Sequence, residues 1–181
     1  MTDIPHRKYT NWPLKDFKYQ ELFNGYIWKS KCTPRIKFFA WLMMVDRLNT
    51  KIMLRRRHYN TQAGIYCILC NHNAEEEVDH LFFGCPFAVN CWLRLNIVWD
   101  LDLELHHRIS QTRSVFQQDF FMEVFLIGAW ELWKVRNAVI FDNARPTAHL
   151  WSVKFREQML LHLARFDNVT KDSIVSWLSS W

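Results

Sequence analysis

Apolar residues recur at helical spacing over most of the chain. From Pro34 onward, Ile36, Phe38, Phe39, Trp41, Leu42 and Val45 predict a helix with a broad apolar face. Proline suits its first turn, where no amide hydrogen bond is lost. Upstream, Phe17, Leu22 and Phe23 suggest a short amphipathic helix, followed by a turn at Asn24–Gly25 and the segment Tyr26-Ile27-Trp28-Lys29. Asn49 or Thr50 can cap a next helix from Lys51 to about His58, in which Ile52, Met53 and Leu54 meet the run Arg55-Arg56-Arg57. A long helix is expected over Gln118–Phe141, with Phe121, Phe125, Trp130, Trp133 and Phe141 among its apolar positions. Another is expected over Thr147–Phe166, capped by Thr147, and a short one over Lys171–Trp181.

The stretches between these elements divide the chain. Residues 1–13 read as a lead-in and residues 14–99 as one domain. Residues 100–117 mix acids with His106-His107 and read as a linker, and residues 118–181 read as a C-terminal helical region. The expected fold class is therefore mainly α: a small helical domain with a helical extension. Composition agrees with this. Half of the 181 residues are hydrophobic, with 10 Trp and 14 Phe, enough apolar area to offset chain entropy. Only 4 Gly and 5 Pro are present, too few for a loop-rich sandwich.

Charge is uneven. Residues 1–60 hold thirteen Lys and Arg against four Asp and Glu, whereas the remainder holds ten against fourteen. The basic half has the sign needed for phosphate contacts. Lys29, Lys31, Arg35, Lys37, Arg47, Lys51, Arg55, Arg56 and Arg57 are its candidate nucleic-acid contacts. No secretory leader is evident at the start, and the most apolar run, Phe120 to Trp130, is short and contains Glu123. An intracellular, reducing setting in nucleus or cytoplasm is expected, with no membrane partner. There, five cysteines read as metal ligands or buried thiols rather than disulfides.

The cysteines give the sharpest chemistry. Cys67, Cys70, His80 and Cys85 follow the pattern C-x2-C-x9-H-x4-C. Two cysteines three positions apart can grip one ion from a tight knuckle, and His80 with Cys85 can close a tetrahedral zinc site. Four protein ligands leave no position for water, so the expected Zn2+ is single and structural. A redox pair or two buried thiols is the competing reading of the CxxC unit. His72, Cys91 and Cys32 fit less well and are expected to be a surface histidine and core thiols. Glu75-Glu76-Glu77 with Asp79 reads as a solvated acidic loop. Without a defensible Ser–His–Asp order, a phosphate-cradling glycine loop or an open metal position, no enzymatic function is expected.

These motifs stand in a telling order. Trp28-Lys29, Pro34-Arg35-Ile36-Lys37-Phe38-Phe39-Ala40-Trp41-Leu42 and Asp46-Arg47-Leu48-Asn49-Thr50 come first. Cys67-x2-Cys70, Glu76, His80-Leu81-Phe82 and Cys85-Pro86 through Trp92 follow. Together they resemble the zinc-binding domain found after the reverse transcriptase in plant non-LTR retrotransposons and in stand-alone genes derived from them. The segment Trp130 to Phe141 resembles sequence that often follows this domain. The resemblance implies zinc on Cys67, Cys70, His80 and Cys85 and an ancestral role in handling element RNA or DNA. No polymerase-type paired-aspartate motif and no RNase H carboxylate set accompanies it. The partners expected are therefore RNA or DNA. The alternatives are a protein partner gripped by the Trp-rich C-terminal helices, where Trp177 and Trp181 are expected exposed or docked, or a decayed fragment without selected activity.

Overall fold

A computed structural model describes residues 25–59 and 64–180. The expected lead-in, the helix at Phe17–Phe23 and Trp181 lie outside the described residues. Those described are mainly helical and form no strand, only one isolated antiparallel bridge between Tyr66 and Glu75. In chain order the helices are α1 (Pro34–Met44), α2 (Lys51–Arg56), α3 (Pro86–Leu93), α4 (Leu105–Phe116), α5 (Phe121–Phe141), α6 (Ala148–His162) and α7 (Asn168–Ser179). A π-helical turn, His80–Gly84, precedes α3. Among the described residues no helix is long and apolar enough to cross a membrane.

Local chemistry sets the ends of these helices. Thr50 Oγ1 accepts from the Met53 amide at 3.2 Å and Thr147 Oγ1 from the Leu150 amide at 3.1 Å, satisfying first-turn donors that would otherwise be orphaned. Pro34 and Pro86 occupy the first turns of α1 and α3. Asp167 caps α7 through the Thr170 amide at 2.9 Å, so that helix begins a few residues earlier than its apolar pattern suggested.

Helix α5 is the centre of the fold. Every residue from Phe121 to Ala129 is buried, because α1, α4 and α6 pack around it. Helix α3 packs on α6 and on the π-turn. One aromatic cluster joins the cysteine-bearing segment to the C-terminal helices. Trp92 meets Trp99 edge-on at 5.3 Å and Trp151 at 6.1 Å, while Phe83 and Trp99 both reach Phe125. Such pairs add about 0.5–1.5 kcal/mol each beyond their buried area. Gly128 lets this cluster close: a Cβ there would stand 2.6 Å from the Trp92 ring, and its carbonyl accepts from Trp151 Nε1 at 3.2 Å.

Two expectations are corrected here. The stretch 100–117 is not an open linker; it contains α4, whose His106, Arg108, Ile109 and Thr112 are buried. The left-handed backbone of Gln117 (φ 56°) ends that helix and turns the chain into α5. Trp177 is packed rather than exposed. Its ring lies within 5.6–6.2 Å of Phe116, Phe120 and Phe155. Trp151 is fully buried, and Trp130 and Trp133 pack half-buried against the core.

Candidate metal centre

Residues 65–67 and 74–76 run antiparallel for a few bonds. The Cys67 amide donates to Ala74 O at 2.8 Å and the Glu76 amide to Ile65 O at 2.9 Å. Between them the chain turns through Cys70, and the amides of Leu69 and His72 donate to the sulfurs of Cys67 and Cys70. The other half of the site comes from the π-turn. In an α-helix, residues five apart point about 140° away from each other. Here the Cys85 amide reaches back five residues to His80 O, and this wider turn carries both side chains to one side. Cys85 then stands at the N-terminus of α3, where the amides of Phe87 and Ala88 donate to its sulfur.

The structure brings Cys67, Cys70, His80 and Cys85 together, with one ligand atom of each within 4.8 Å of all the others. Cys67 Sγ and Cys85 Sγ are 3.9 Å apart, and Cys70 Sγ lies 3.3 Å from His80 Nε2. A tetrahedron with Zn–S bonds near 2.3 Å and Zn–N near 2.0 Å requires edges of about 3.8 and 3.5 Å. The donor set and its spacing therefore fit that ion. Burial decreases across the site, from the fully buried Cys85 to the half-buried Cys70 and His80.

Crowding makes the sulfurs compete for protons. The Cys67 thiol donates to Cys85, which lowers Cys85 to about 5 against the opposing effect of burial. Cys67 is driven well above the usual thiol range by that same bond and by burial, and burial also raises Cys70. A divalent cation at the centre of the four would relieve this competition by replacing the proton. Cys91 and Cys32 have no such company. Burial pushes Cys91 up to about 12 and, with Glu123 nearby, raises Cys32 further, so both are core thiols. His72 is exposed and outside the cluster. Glu104, His106 and His107 also bring ligand atoms within 4.8 Å, but as near-consecutive donors at one helix end they do not enclose an ion.

Two buried arginines, neither of them a candidate site residue in the sequence, fix the loop between the ligand pairs. Arg136 on α5 places Nη2 2.6 Å and Nε 3.2 Å from Glu76 Oε1. The same oxygen accepts the Lys51 amide at 3.0 Å, and Arg136 also donates to Asn49 O. Glu76 is therefore fully buried, which corrects its reading as part of a solvated acidic run. Arg108 on α4 donates to Asp79, beside His80, at 2.6 Å and to the carbonyls of Asp100, Leu101 and Leu103. Its guanidinium lies 5.0 Å from the Phe83 ring centroid. Glu76 and Arg136 both fall within the patterns quoted above. Arg108 had no apolar periodicity around it to mark it.

The candidate nucleic-acid contacts fare unequally. Lys51 is buried and donates to Tyr66 O at 2.9 Å, so it is structural and not a phosphate contact. Arg55 faces Glu75 at 3.6 Å, Arg56 pairs with Asp46 at 2.7 Å and with Glu77 at 3.5 Å, and Arg57 donates to Asn49 at 2.9 Å. Arg47 is exposed on the turn before α2, and its carbonyl accepts from Arg57. Lys29, Lys31 and Arg35 are exposed, and Lys37 is half-buried with Nζ on Trp28 O at 2.7 Å.

A helical fold closed around a Cys3His cluster is the class of domain these features define. Residues 11–92 match the family described as zinc-binding in reverse transcriptase. The match covers 82 of the 181 residues and takes in all four residues of the cluster. No curated protein and no solved structure matches the chain.

Proposed function

We propose that the chain is a non-enzymatic nucleic-acid-binding module built around one structural Zn2+ on Cys67, Cys70, His80 and Cys85. The observation that carries the metal is the convergence of four donors at tetrahedral spacing. With four protein ligands the ion has no open position, so it clips the knuckle to the π-turn and performs no chemistry. Nucleic acid as the partner is supported by the surplus of thirteen basic over four acidic residues in the first sixty. The family likeness supports descent from a plant-type non-LTR retrotransposon and work inside the cell, in nucleus or cytoplasm.

The competing protein-interaction reading rested on surplus tryptophans. Trp151 is buried and Trp130, Trp133 and Trp177 pack against the core, which favours the nucleic-acid reading; Trp181 lies outside the described residues. Elemental analysis tests the metal: one zinc per chain is expected, lost in Cys67→Ser and Cys85→Ser. A folded, zinc-free protein unaffected by both changes would overturn it. An anisotropy titration against RNA and DNA tests the partner, with binding expected to weaken steeply as salt rises.

A further inference from the structure

Residues 25–45 carry four basic side chains, Lys29, Lys31, Arg35 and Lys37, and no acidic one. Helix α1 buries Ile36, Phe39, Ala40, Met43 and Met44. Its opposite side presents Phe38 and Trp41, one turn apart, with ring centroids 5.5 Å apart and planes inclined by 26°. Phe38 is 53% exposed, and Trp28, just upstream, is 46% exposed. Leaving such rings in water forfeits the free energy that burying them would release. At 100° per residue, Arg35 and Lys37 flank the Phe38–Trp41 stripe on its two sides. The Lys37 bond to Trp28 O fixes the Trp28 backbone to the same face. Glu123 accepts from the Lys31 amide at 2.6 Å, but its side chain is buried beneath this face rather than presented on it.

We infer that this face is a platform for single-stranded nucleic acid. Bases stack on Phe38–Trp41 and on Trp28, while the phosphates pass along Lys29, Lys31, Arg35 and Lys37. The inference rests on the nucleic-acid reading above and narrows it. In a duplex the faces of the bases are already stacked, so exposed rings on a convex helix gain nothing from it. An unpaired strand offers a free face at every base, and cations between the rings match its charge. A polyanion with flat apolar faces complements both properties of the surface. The Arg55–Arg57 run lacks this combination, because Asp46, Glu75 and Glu77 already face its cations.

The test uses the full chain and fluorescein-labelled oligomers of about 20 nucleotides. The probes are uridine-rich RNA and thymidine-rich DNA as single strands, and a duplex of equal length. Single strands are expected to bind roughly tenfold more tightly than duplex, and Phe38→Ala or Trp28→Ala to weaken them roughly five- to tenfold. Duplex binding should change less than about twofold in those variants, and Phe38→Tyr should restore strand binding. Lys29→Ala with Lys31→Ala should weaken both forms and flatten the salt dependence. Phe38→Leu keeps apolar volume without a ring, and carries the test if the alanine variant fails to fold. Equal affinity for strand and duplex, with Phe38→Leu binding like wild type, overturns the platform while nucleic-acid binding stands. No salt-sensitive complex with any probe overturns both.

Discussion

Gly128→Ala adds one methyl group at the most crowded point of the molecule. The new carbon would lie 2.6 and 2.7 Å from Cζ3 and Cη2 of Trp92, and 3.5 Å from Trp151. Carbon atoms in contact sit about 3.5–4.0 Å apart, so the Trp92 ring must retreat by about 1 Å. It has nowhere to go. Trp92 is fully buried, its Nε1 donates to Phe82 O at 2.6 Å, and Trp99 and Trp151 abut its ring. Helix propensity alone would favour alanine by about 1 kcal/mol. Overpacking costs about 1–3 kcal/mol, and a strained indole–carbonyl bond adds about 1 kcal/mol. The net expectation is a loss of about 1–3 kcal/mol, or a fall in Tm of about 3–10 °C for a chain of this length. Urea unfolding followed by tryptophan fluorescence would measure it. Gly25→Ala is the control, since nothing lies within 4 Å of its added carbon. A Gly128→Ala protein as stable as wild type, or more stable, would refute the claim that the Trp92–Gly128 contact limits this site.

Three further outcomes are expected. A strong zinc chelator should lower the Tm of the wild type but not of Cys85→Ser; equal shifts in both would place the stabilising metal elsewhere. Arg136→Met leaves Glu76 charged and buried without its cation and should cost about 3–5 kcal/mol. Adding Glu76→Gln should recover much of that, whereas additive losses in denaturant unfolding would show that the pair is not coupled. His162 is buried and donates from Nδ1 to Gln158 O, and desolvation holds its pKa below the ordinary value. The unfolded chain therefore takes up a proton near pH 6.5 more readily than the fold does. The stability His162 contributes is full above that pH and is lost as pH falls. The advantage of wild type over His162→Gln should shrink between about pH 7.5 and pH 5, and a constant difference would refute it.

Helices with a clear apolar stripe and a hydroxyl cap could be read from sequence: Thr50 opens α2 and Thr147 opens α6, as their positions suggested. The cluster of Cys67, Cys70, His80 and Cys85 could be read as a set because ligand chemistry restricts both residue type and spacing. Helix α4 could not. Its buried face is formed by His106, Arg108 and Thr112 with Ile109, so apolar periodicity is nearly absent. Glu76 was hidden for a related reason. Three consecutive glutamates look alike, and only the Arg136 guanidinium, 60 residues away, decides which one turns inward. Trp177 was misjudged by its nearness to the end of the sequence, which says nothing about the pocket formed by Phe116, Phe120 and Phe155.

The aromatic cluster around Trp92 also bears on how such a domain could be moved between proteins. The family likeness ends at residue 92, yet Phe125 and Trp151 close the core over it, and Arg108 and Arg136 hold its loop. Cutting the gene at the edge of the recognisable motif would strip Trp92 of its covering and leave Glu76 without its cation. The transferable unit is longer than its signature. A fusion or transplant that is to keep the loop between Cys70 and His80 in shape must carry α4, α5 and α6 with it.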